Sequence, residues 1–226
     1  MTRLILVAAS GLAREVLAVV AGTRSHTVIG VLDDAPNLQR TRMQEAPVLG
    51  TLDDAGLFPA DEFIVCIGSG RGRESAVARL RAQGVSEDRF ATIVEPSARI
   101  SADSVIGTGC ILLAGVVLTA SVTLGSHVVA MPQVVLTHDD VVGDYATLAA
   151  GVRLGGAVHV GDAAYVGMGS TVRQHVRIGR GATLGMSAAL LEDLPAGETW
   201  VGVPARPVST LRPAAPGTPS FVAGAS

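Results

Sequence analysis

From Ile100 onward the sequence repeats every six residues, and this period constrains the fold more than any other feature of the chain. Sixteen consecutive hexads, from Ile100 to Pro195, keep one register without a slip. The first place of every hexad is aliphatic, the fifth place is nearly always small or Val, and Gly fills the second place in half of them. Such a pattern predicts one short strand and one corner per hexad, with the first and fifth side chains pointing inward.

A single coil of this kind cannot bury its own apolar face, so the coils must stack on one another. Three hexads per coil predict a triangular prism of about five coils, in which residues that are three hexads apart lie above one another. The composition agrees, because aromatic residues make up only 3% of the chain while Gly occurs 27 times. Small aliphatic side chains and many glycines favour tightly stacked backbone over a core of large rings.

The first part of the chain has a different pattern, in which short apolar runs alternate with helical ones. We expect strands at LILVA (4–8), TVIGVLDD, EFIVCIGSG and FATIV, and helices at LAREVLAVV and RESAVARLRAQG. This alternation predicts a parallel sheet with right-handed crossovers. We therefore divide the chain into a small Rossmann-like α/β domain over residues 1–95, an all-β prism over 96–211 and a flexible tail over 212–226.

Ligands of such α/β sheets bind at the carboxyl ends of the strands. Here those ends carry Ser10-Gly11, Asp33-Asp34 and Gly68-Ser69-Gly70. No complete G-x-G-x-x-G follows the first strand, so ordinary turns explain the glycines equally well. The two acids suit a ribose or base edge, and a solvated turn explains them almost as well.

Composition excludes several classes of function. All 17 cationic residues are Arg, which excludes a Walker-A phosphate loop and a lysine Schiff base. The net charge of −3 leaves no basic surface for nucleic acid. Cys66 and Cys110 stand in apolar runs, which predicts buried, reduced thiols and a cytoplasmic location. No stretch reaches the roughly 18 uncharged apolar residues of a membrane span.

Three segments resemble a known family. The hexads VGDYATLAAGVRLGGAVHVGDAAYVGMGSTVRQHVRIG, the earlier LTHDD and the later WVGVPAR are similar to the hexapeptide-repeat sugar acetyltransferases of the bacillosamine N-acetyltransferase and sialic acid O-acetyltransferase type. The resemblance extends over residues 3–208 and implies a left-handed parallel β-helix. It also implies a homotrimer with active sites between neighbouring prisms, and transfer of an acetyl group from acetyl-CoA to an amino or hydroxyl group of a nucleotide-linked sugar, without a metal.

The resemblance implies a role for the histidine of the LTHDD segment. His138 would accept the proton of the attacking amine or hydroxyl, because a neutral imidazole is a suitable general base. Asp139 or Asp140 would orient the ring, and the family pattern favours Asp139. No Cys or Ser is placed as an activated nucleophile, which favours direct transfer.

Further site residues follow from the same resemblance. The N–H of Gly156 is the candidate contact for the developing oxyanion, because Gly156 stands three hexads after His138. The predicted acetyl-CoA contacts are Gly156, Gly185, Met186, Gly202, Pro204, Ala205 and Arg206. The predicted acceptor contacts are Ser10, Gly11, Leu12, Asp33, Asp34, Gly68, Ser69 and Arg73.

The chain departs from the family pattern at four positions. Ala8 and Leu12 replace the Gly and His of the first strand end, Met131 replaces an Asn, and Thr147 replaces a second His. These departures leave the identity of the acceptor open. An acceptor that is less polar, or that is not a UDP-linked sugar, is an alternative. They also leave open whether nitrogen or oxygen is acylated, and whether the donor is acetyl or longer.

Two other functions share this helix. Zinc-dependent carbonic anhydrases need three His ligands, two of them five residues apart, and no two histidines here have that spacing. A non-catalytic assembly or binding module is the other alternative, against which the THDD and VGVPAR segments argue. His159 and His175 are interpreted as surface or inter-subunit residues.

Overall fold

The computed structural model describes residues 1–208. The predicted tail over 212–226 and the last residues of the predicted prism domain lie outside this range. Over residues 1–208, no helix is both long enough and apolar enough to cross a membrane.

The N-terminal part is a five-stranded sheet with two helices. Strands β1, β2, β4 and β5 are parallel, while β3 runs antiparallel to β4, and the strand order is β3-β4-β2-β1-β5. The strands are β1 (Thr2–Val7), β2 (His26–Leu32), β3 (Arg42–Met43), β4 (Ala46–Gly50) and β5 (Glu62–Val65). The helices are α1 (Gly11–Thr23) and α2 (Gly70–Ala82), with 3₁₀ turns at Pro36–Leu38, Leu52–Leu57 and Glu87–Arg89.

Both helices begin directly after a strand end, as the sequence predicts, because a serine caps each of them. Ser10 Oγ accepts a hydrogen bond from the N–H of Ala13 at 3.1 Å. Ser69 Oγ accepts one from the N–H of Gly72 at 3.3 Å. These caps satisfy backbone donors that the first turn of a helix leaves without a partner.

The segment FATIV, predicted as the fourth strand of the first sheet, belongs mainly to the prism. Its first residues contact the sheet through an isolated bridge between Phe90 and Phe63, in which the N–H of Ala91 donates to the carbonyl of Phe63 at 2.9 Å. Strand β6 (Ile93–Val94) pairs with the prism instead, and the N–H of Ile93 donates to the carbonyl of Cys110 at 2.8 Å. The prism ladder therefore begins before residue 96, because β6 already pairs in parallel with β9 (Ile111–Leu112), the next strand of the same prism face. The β3-β4 hairpin, which the sequence did not predict, occupies the opposite edge of the sheet.

The second part is a three-sided parallel β-helix, left-handed as in the family it resembles. Its first face consists of β6, β9 (Ile111–Leu112), β12 (Val129–Ala130), β15 (Thr147–Leu148), β18 (Tyr165–Val166), β21 (Thr183–Leu184), β23 (Thr199–Val201) and the antiparallel β24 (Arg206–Pro207). Its second face consists of β7 (Arg99–Ile100), β10 (Val117–Leu118), β13 (Val135–Leu136), β16 (Arg153–Leu154), β19 (Thr171–Val172) and β22 (Ala189–Leu190). Its third face consists of β8 (Val105–Ile106), β11 (Thr123–Leu124), β14 (Val141–Val142), β17 (His159–Val160) and β20 (Arg177–Ile178).

The predicted hexad register is confirmed. First-place residues are buried from Leu112 to Leu190, and fifth-place residues are buried from Cys110 to Leu194. Strand partners on each face lie three hexads apart, for example Val117 opposite Val135. The inward side chains form one continuous apolar column along the prism. Asp140 is the one charged residue among these inward places.

The N-terminal part docks on the first face of the prism and on the corner between the third and first faces. Side chains of α1 and β1 share an apolar cluster with Ile111 and Val129 of the first face. At the corner, a Cβ on Gly70 would lie 2.3 Å from the carbonyl oxygen of Tyr145, so only glycine allows α2 to start this close to the prism.

Candidate active site

His138 and Asp139 lie together at the corner between the second and third faces. The Nδ1 atom of His138 is 2.8 Å from Oδ2 of Asp139, and each side chain is 64% exposed. When Nδ1 of a neutral ring donates to the carboxylate, Nε2 is left as a proton acceptor on the open side. Asp139 has a φ of 62°, a left-handed conformation that Asp and Asn tolerate better than most residues.

Asp140, the other acid that the sequence left open, turns inward. Its Oδ2 accepts from the N–H of Thr137 and its Oδ1 from the N–H of Val158, both at 2.8 Å. Burial raises the pKa of this carboxyl to about 6, against the opposing effect of these two backbone hydrogen bonds. Asp140 therefore holds the turn that carries His138, while Asp139 contacts the ring.

Gly156 lies against the imidazole, as the stacking of the coils predicts. A Cβ added to Gly156 would lie 2.3 Å from Nε2 of His138. The next residue, Ala157, donates its N–H to the carbonyl of His138 at 2.9 Å. Within residues 1–208 the N–H of Gly156 itself donates to no partner. A free backbone donor thus lies beside the ring, where an oxyanion contact requires one.

The other predicted acetyl-CoA residues lie at a different corner, the one between the first and second faces. Met186 is 78% exposed there. The backbone of Gly185 approaches the last coil so closely that a Cβ would lie 2.6 Å from Cγ1 of Val201. One chain therefore does not bring Gly185 and Met186 next to Gly156.

The segment after β23 folds back onto this end of the prism. The carbonyl of Gly202 accepts from the N–H of Ala189 at 3.0 Å, and Pro204 is exposed. The side chain of Ala205 packs into the prism core, so it does not face a ligand. Arg206 pairs with Glu192 at 2.7 Å.

Four of the predicted acceptor residues line one cavity of about 800 Å³ at the carboxyl end of β1. They are joined by Met131 of the prism and by α1 residues that the sequence did not single out. The lining is Ser10, Gly11, Leu12, Arg14, Glu15, Ala18, Gln44, Gly68 and Met131. An adjoining cavity of about 380 Å³ under the β3-β4 hairpin shares Ser10, Gly11, Arg14 and Gln44.

The remaining predicted acceptor residues do not line these two cavities. Asp33 accepts from the N–H groups of Ala9 at 2.7 Å and Ala35 at 2.8 Å, and so supports the loop before α1. Asp34 pairs with Arg79, and hydrogen bonding to that guanidinium lowers the pKa of Asp34. Ser69 faces a separate groove beside Arg71 and Tyr165.

Arg73, predicted to contact the acceptor, is instead a buried structural residue. It has no exposed surface, and its guanidinium donates to oxygen atoms of the protein on all sides. The prediction was wrong because the position lies under the prism, a contact between distant segments that no local pattern in the sequence reveals.

His138 and the cavity at the end of β1 lie on different parts of the same chain. The cavity is formed by the N-terminal sheet and Met131, which follows directly after strand β12 of the first face. His138 stands one strand later, at the corner between the second and third faces, and the N-terminal part covers neither of these faces. Over residues 1–208, no three His, Cys, Asp or Glu side chains are grouped as metal ligands would be.

Comparison with known proteins agrees with this architecture. Residues 3–80 match the family model described as the PglD N-terminal domain. WeeI from Acinetobacter baumannii AYE is 30% identical, with a TM-score of 0.83 and coverage of 92% of this chain and 100% of that chain. No curated protein sequence matches significantly.

Two further solved structures carry ligands. The acetyltransferase domain of PglB from Neisseria gonorrhoeae FA1090, in complex with acetyl coenzyme A, is 26% identical with a TM-score of 0.83, over 91% of this chain and 98% of that chain. PerB from Caulobacter crescentus, in complex with CoA and GDP-perosamine, is 26% identical with a TM-score of 0.84, over 92% and 97%.

The fold and these matches define an acyltransferase built on a left-handed β-helix. More specifically, the chain belongs to the hexapeptide-repeat sugar acetyltransferases that carry a PglD-type N-terminal domain.

Proposed function

We propose that this protein transfers the acetyl group of acetyl-CoA to the amino group of a nucleotide-linked sugar, with His138 as general base. The observation that carries the proposal is the contact of three residues at one corner of the prism. His138 is held by Asp139 at 2.8 Å, and its free Nε2 faces Gly156, whose N–H has no partner within residues 1–208. The complexes of PglB with acetyl-CoA and of PerB with CoA and GDP-perosamine support the choice of donor and acceptor.

Each residue at this corner has a defined part in the proposed reaction. The neutral amine of the acceptor attacks the thioester carbonyl carbon, and Nε2 of His138 takes up the amine proton as the C–N bond forms. The carboxylate of Asp139 stabilises the imidazolium that results. The Gly156 N–H donates to the oxyanion of the tetrahedral intermediate. When the C–S bond breaks, the CoA sulfur leaves and receives the proton, which gives N-acetyl sugar and CoA.

The acceptor is proposed to occupy the cavity at the end of β1. Its two adjoining parts, about 800 Å³ and 380 Å³, are of the size that small-molecule sites have. Arg14 lines both parts, so it is placed to meet a diphosphate that passes between them. Leu12 and Met131 make one wall apolar, which favours a sugar with few hydroxyl groups on that side.

We further propose that the active enzyme is a homotrimer. The acceptor cavity, Gly185 and Met186 lie on the first face or its corner with the second, whereas His138 and Gly156 lie at the next corner. Both sets come together in a groove between two prisms when the corner between the second and third faces of one copy meets the corner between the first and second faces of its neighbour. A cyclic arrangement of three copies repeats this contact and closes.

A reducing cytoplasm is the proposed compartment. Both cysteines are free, and burial raises the pKa of the Cys110 thiol to about 11, so neither is poised for oxidation or disulfide formation.

Calorimetric titration with acetyl-CoA tests the proposal, with CoA as a second ligand. We expect saturable micromolar binding with one site per chain. No heat of binding at millimolar ligand would contradict the transferase function and would favour a non-catalytic binding module.

A further inference from the structure

The guanidinium of Arg73 joins the acceptor-binding loop to the prism. Arg73 is in the first turn of α2 and is fully buried. Within its own loop, Nη1 donates to the carbonyls of Ile67 at 2.6 Å and Gly68 at 3.1 Å. Towards the prism, its other two nitrogens donate to the carbonyl oxygens of His127 at 3.0 Å, Tyr145 at 2.7 Å and Ala146 at 2.9 Å, and to Oγ1 of Thr147 at 2.9 Å.

All of these acceptors are neutral oxygens. Burial lowers the pKa of Arg73 to about 10, which leaves the guanidinium charged at neutral pH. A buried charge without a carboxylate partner is tolerated only when all its donors are satisfied. The hydrogen bonds to the loop and to the prism must therefore form at the same time. Any shift of the loop relative to the prism would break some of them.

Thr147 completes this junction from the prism side. Its Oγ1 accepts from Arg73 and donates to the carbonyl of Gly68 at 2.8 Å. Along the first face, Thr147 stands between Val129 and Tyr165 in the same outward column. In this column Val129 packs among apolar side chains, whereas Thr147 supplies the hydroxyl that reaches the loop.

Gly68 connects the junction to the acceptor cavity, since it forms part of the cavity wall. On the other side, Ser10 Oγ donates to the carbonyl of Cys66 at 2.6 Å, so the same loop is tied to the start of α1. The loop over residues 66–69 is thus held between the cavity and the prism. Its position decides where an acceptor sits relative to the prism and to the base at the neighbouring corner.

Resting on the function proposed above, we infer that Arg73 and Thr147 are positioning residues for acetyl transfer. They hold the loop over residues 66–69 so that the acceptor amine meets the thioester in a productive geometry. They contact neither substrate. Their loss is expected to affect the use of the acceptor and to leave the binding of acetyl-CoA unchanged, because small errors in the placement of a reacting group are costly in rate.

Thr147→Val tests this inference, because Val keeps the volume and the strand preference but lacks the hydroxyl. Oγ1 makes two hydrogen bonds at this junction, and we expect their loss to lower kcat/KM for the nucleotide sugar by roughly tenfold. The Kd of acetyl-CoA should stay within about twofold. Thr147→Ser should restore acceptor kinetics. Thr123→Val is the matched control, because Thr123 also stands in an outward column but on the third face, between Val105 and Val141 and away from the junction.

Amide hydrogen exchange of the loop gives a second readout that does not depend on activity. Thr147→Val should speed exchange in residues 66–70, while Thr123→Val should not. Wild-type acceptor kinetics and unchanged loop exchange in Thr147→Val would overturn the inference, as would an equal loss of acetyl-CoA affinity. If the wild-type protein acetylates no nucleotide sugar, the proposed function fails, and the exchange measurement still decides whether Thr147 holds the loop.

Discussion

Gly156 lies directly against the imidazole of His138, and a Cβ at this position would be only 2.3 Å from Nε2. The φ of Gly156 is not in the left-handed region, so the backbone itself would accept another residue. Glycine is required at this position by the ring beside it. Nε2 of His138, which can accept a proton, and the N–H of Gly156, which donates to no group within residues 1–208, therefore lie side by side at one exposed corner.

Gly156→Ala is therefore expected to abolish most activity while the protein stays folded. The new methyl group must displace the ring from its place beside Asp139, and we expect kcat to fall by roughly 10²-fold, as when a general base is misplaced. Steady-state kinetics and thermal unfolding check both parts. Gly22→Ala on α1 is the control, because its Cβ would meet no atom within 4 Å. Wild-type kcat in Gly156→Ala would contradict the assigned geometry.

Replacing the two neighbouring acids should have separate effects. Asp139→Asn keeps a residue that tolerates positive φ but loses the charge that stabilises an imidazolium, so kcat should fall about tenfold or more with little change in stability. In Asp140→Asn the side-chain NH₂ group would face one of the two backbone N–H groups that the carboxylate accepts from, which leaves that buried N–H without an acceptor. The free energy of unfolding should therefore fall by about 1–3 kcal/mol. Urea unfolding and kcat, measured on both variants, distinguish them. The reverse pattern would mean that Asp140 orients the base.

Asp33→Ala should raise the KM for the acceptor several-fold and leave the KM for acetyl-CoA unchanged. The carboxylate holds Ala9 and Ala35 through their N–H groups, and Ala9 precedes the Ser10 cap at the cavity. Its loss frees the loop at the mouth of the proposed acceptor site. Asp53→Ala, which removes an exposed partner of Arg79, is the control. An acceptor KM equal to that of the wild type would show that the loop does not need this support.

His127 should make the fold sensitive to acid. Its ring is buried between Phe90 and Tyr145, neither ring nitrogen has a partner within residues 1–208, and burial lowers its pKa from 6.5 to about 4. The unfolded chain therefore binds more protons below pH 6.5. The contribution of neutral His127 to the free energy of unfolding is fully present above that pH. This contribution falls by up to about 3 kcal/mol as the pH drops to about 4. The charged groups that act on this ring are Arg73, Arg81, Glu87 and Asp144.

The melting temperature of His127→Phe as a function of pH checks this expectation. Phe keeps the ring contacts and cannot take up a proton, so its melting temperature should decline less than that of the wild type between pH 7 and 4.5. The cost of placing Phe at a φ of 57° is the same at every pH and does not affect the comparison. Parallel curves for the two proteins would show that folding does not lower the pKa of His127.

The sequence predicts the part of the site that depends on the repeat. The distance of three hexads between His138 and Gly156 is enough to place one against the other, because the register never slips. The same register marks residue 140 as an inward place, which separates the roles of the two acids. Local patterns also place Ser10 and Gly68 at strand ends, and both line the cavity proposed for the acceptor.

Features that arise where the two parts of the chain meet are not visible in the sequence. Arg73 has the appearance of an ordinary polar helix residue, and only the docking of α2 on the prism buries it. The FATIV segment has the composition of a sheet strand, yet its last residues find ladder partners in the prism. In both cases the decisive contacts join residues far apart in the sequence, whereas propensity and periodicity describe near neighbours.

Acetyl transfer by the wild-type protein and by His138→Ala tests the proposed role of His138 most directly. Both are incubated with acetyl-CoA and a panel of nucleotide-linked amino sugars that includes GDP-perosamine, and the release of CoA and the acetylated product are measured. We expect turnover of at least one amino sugar by the wild type, and a kcat roughly 10²–10⁴-fold lower in His138→Ala with an unchanged Kd for acetyl-CoA. Turnover by His138→Ala within a few-fold of the wild type would contradict the role of this histidine as the base.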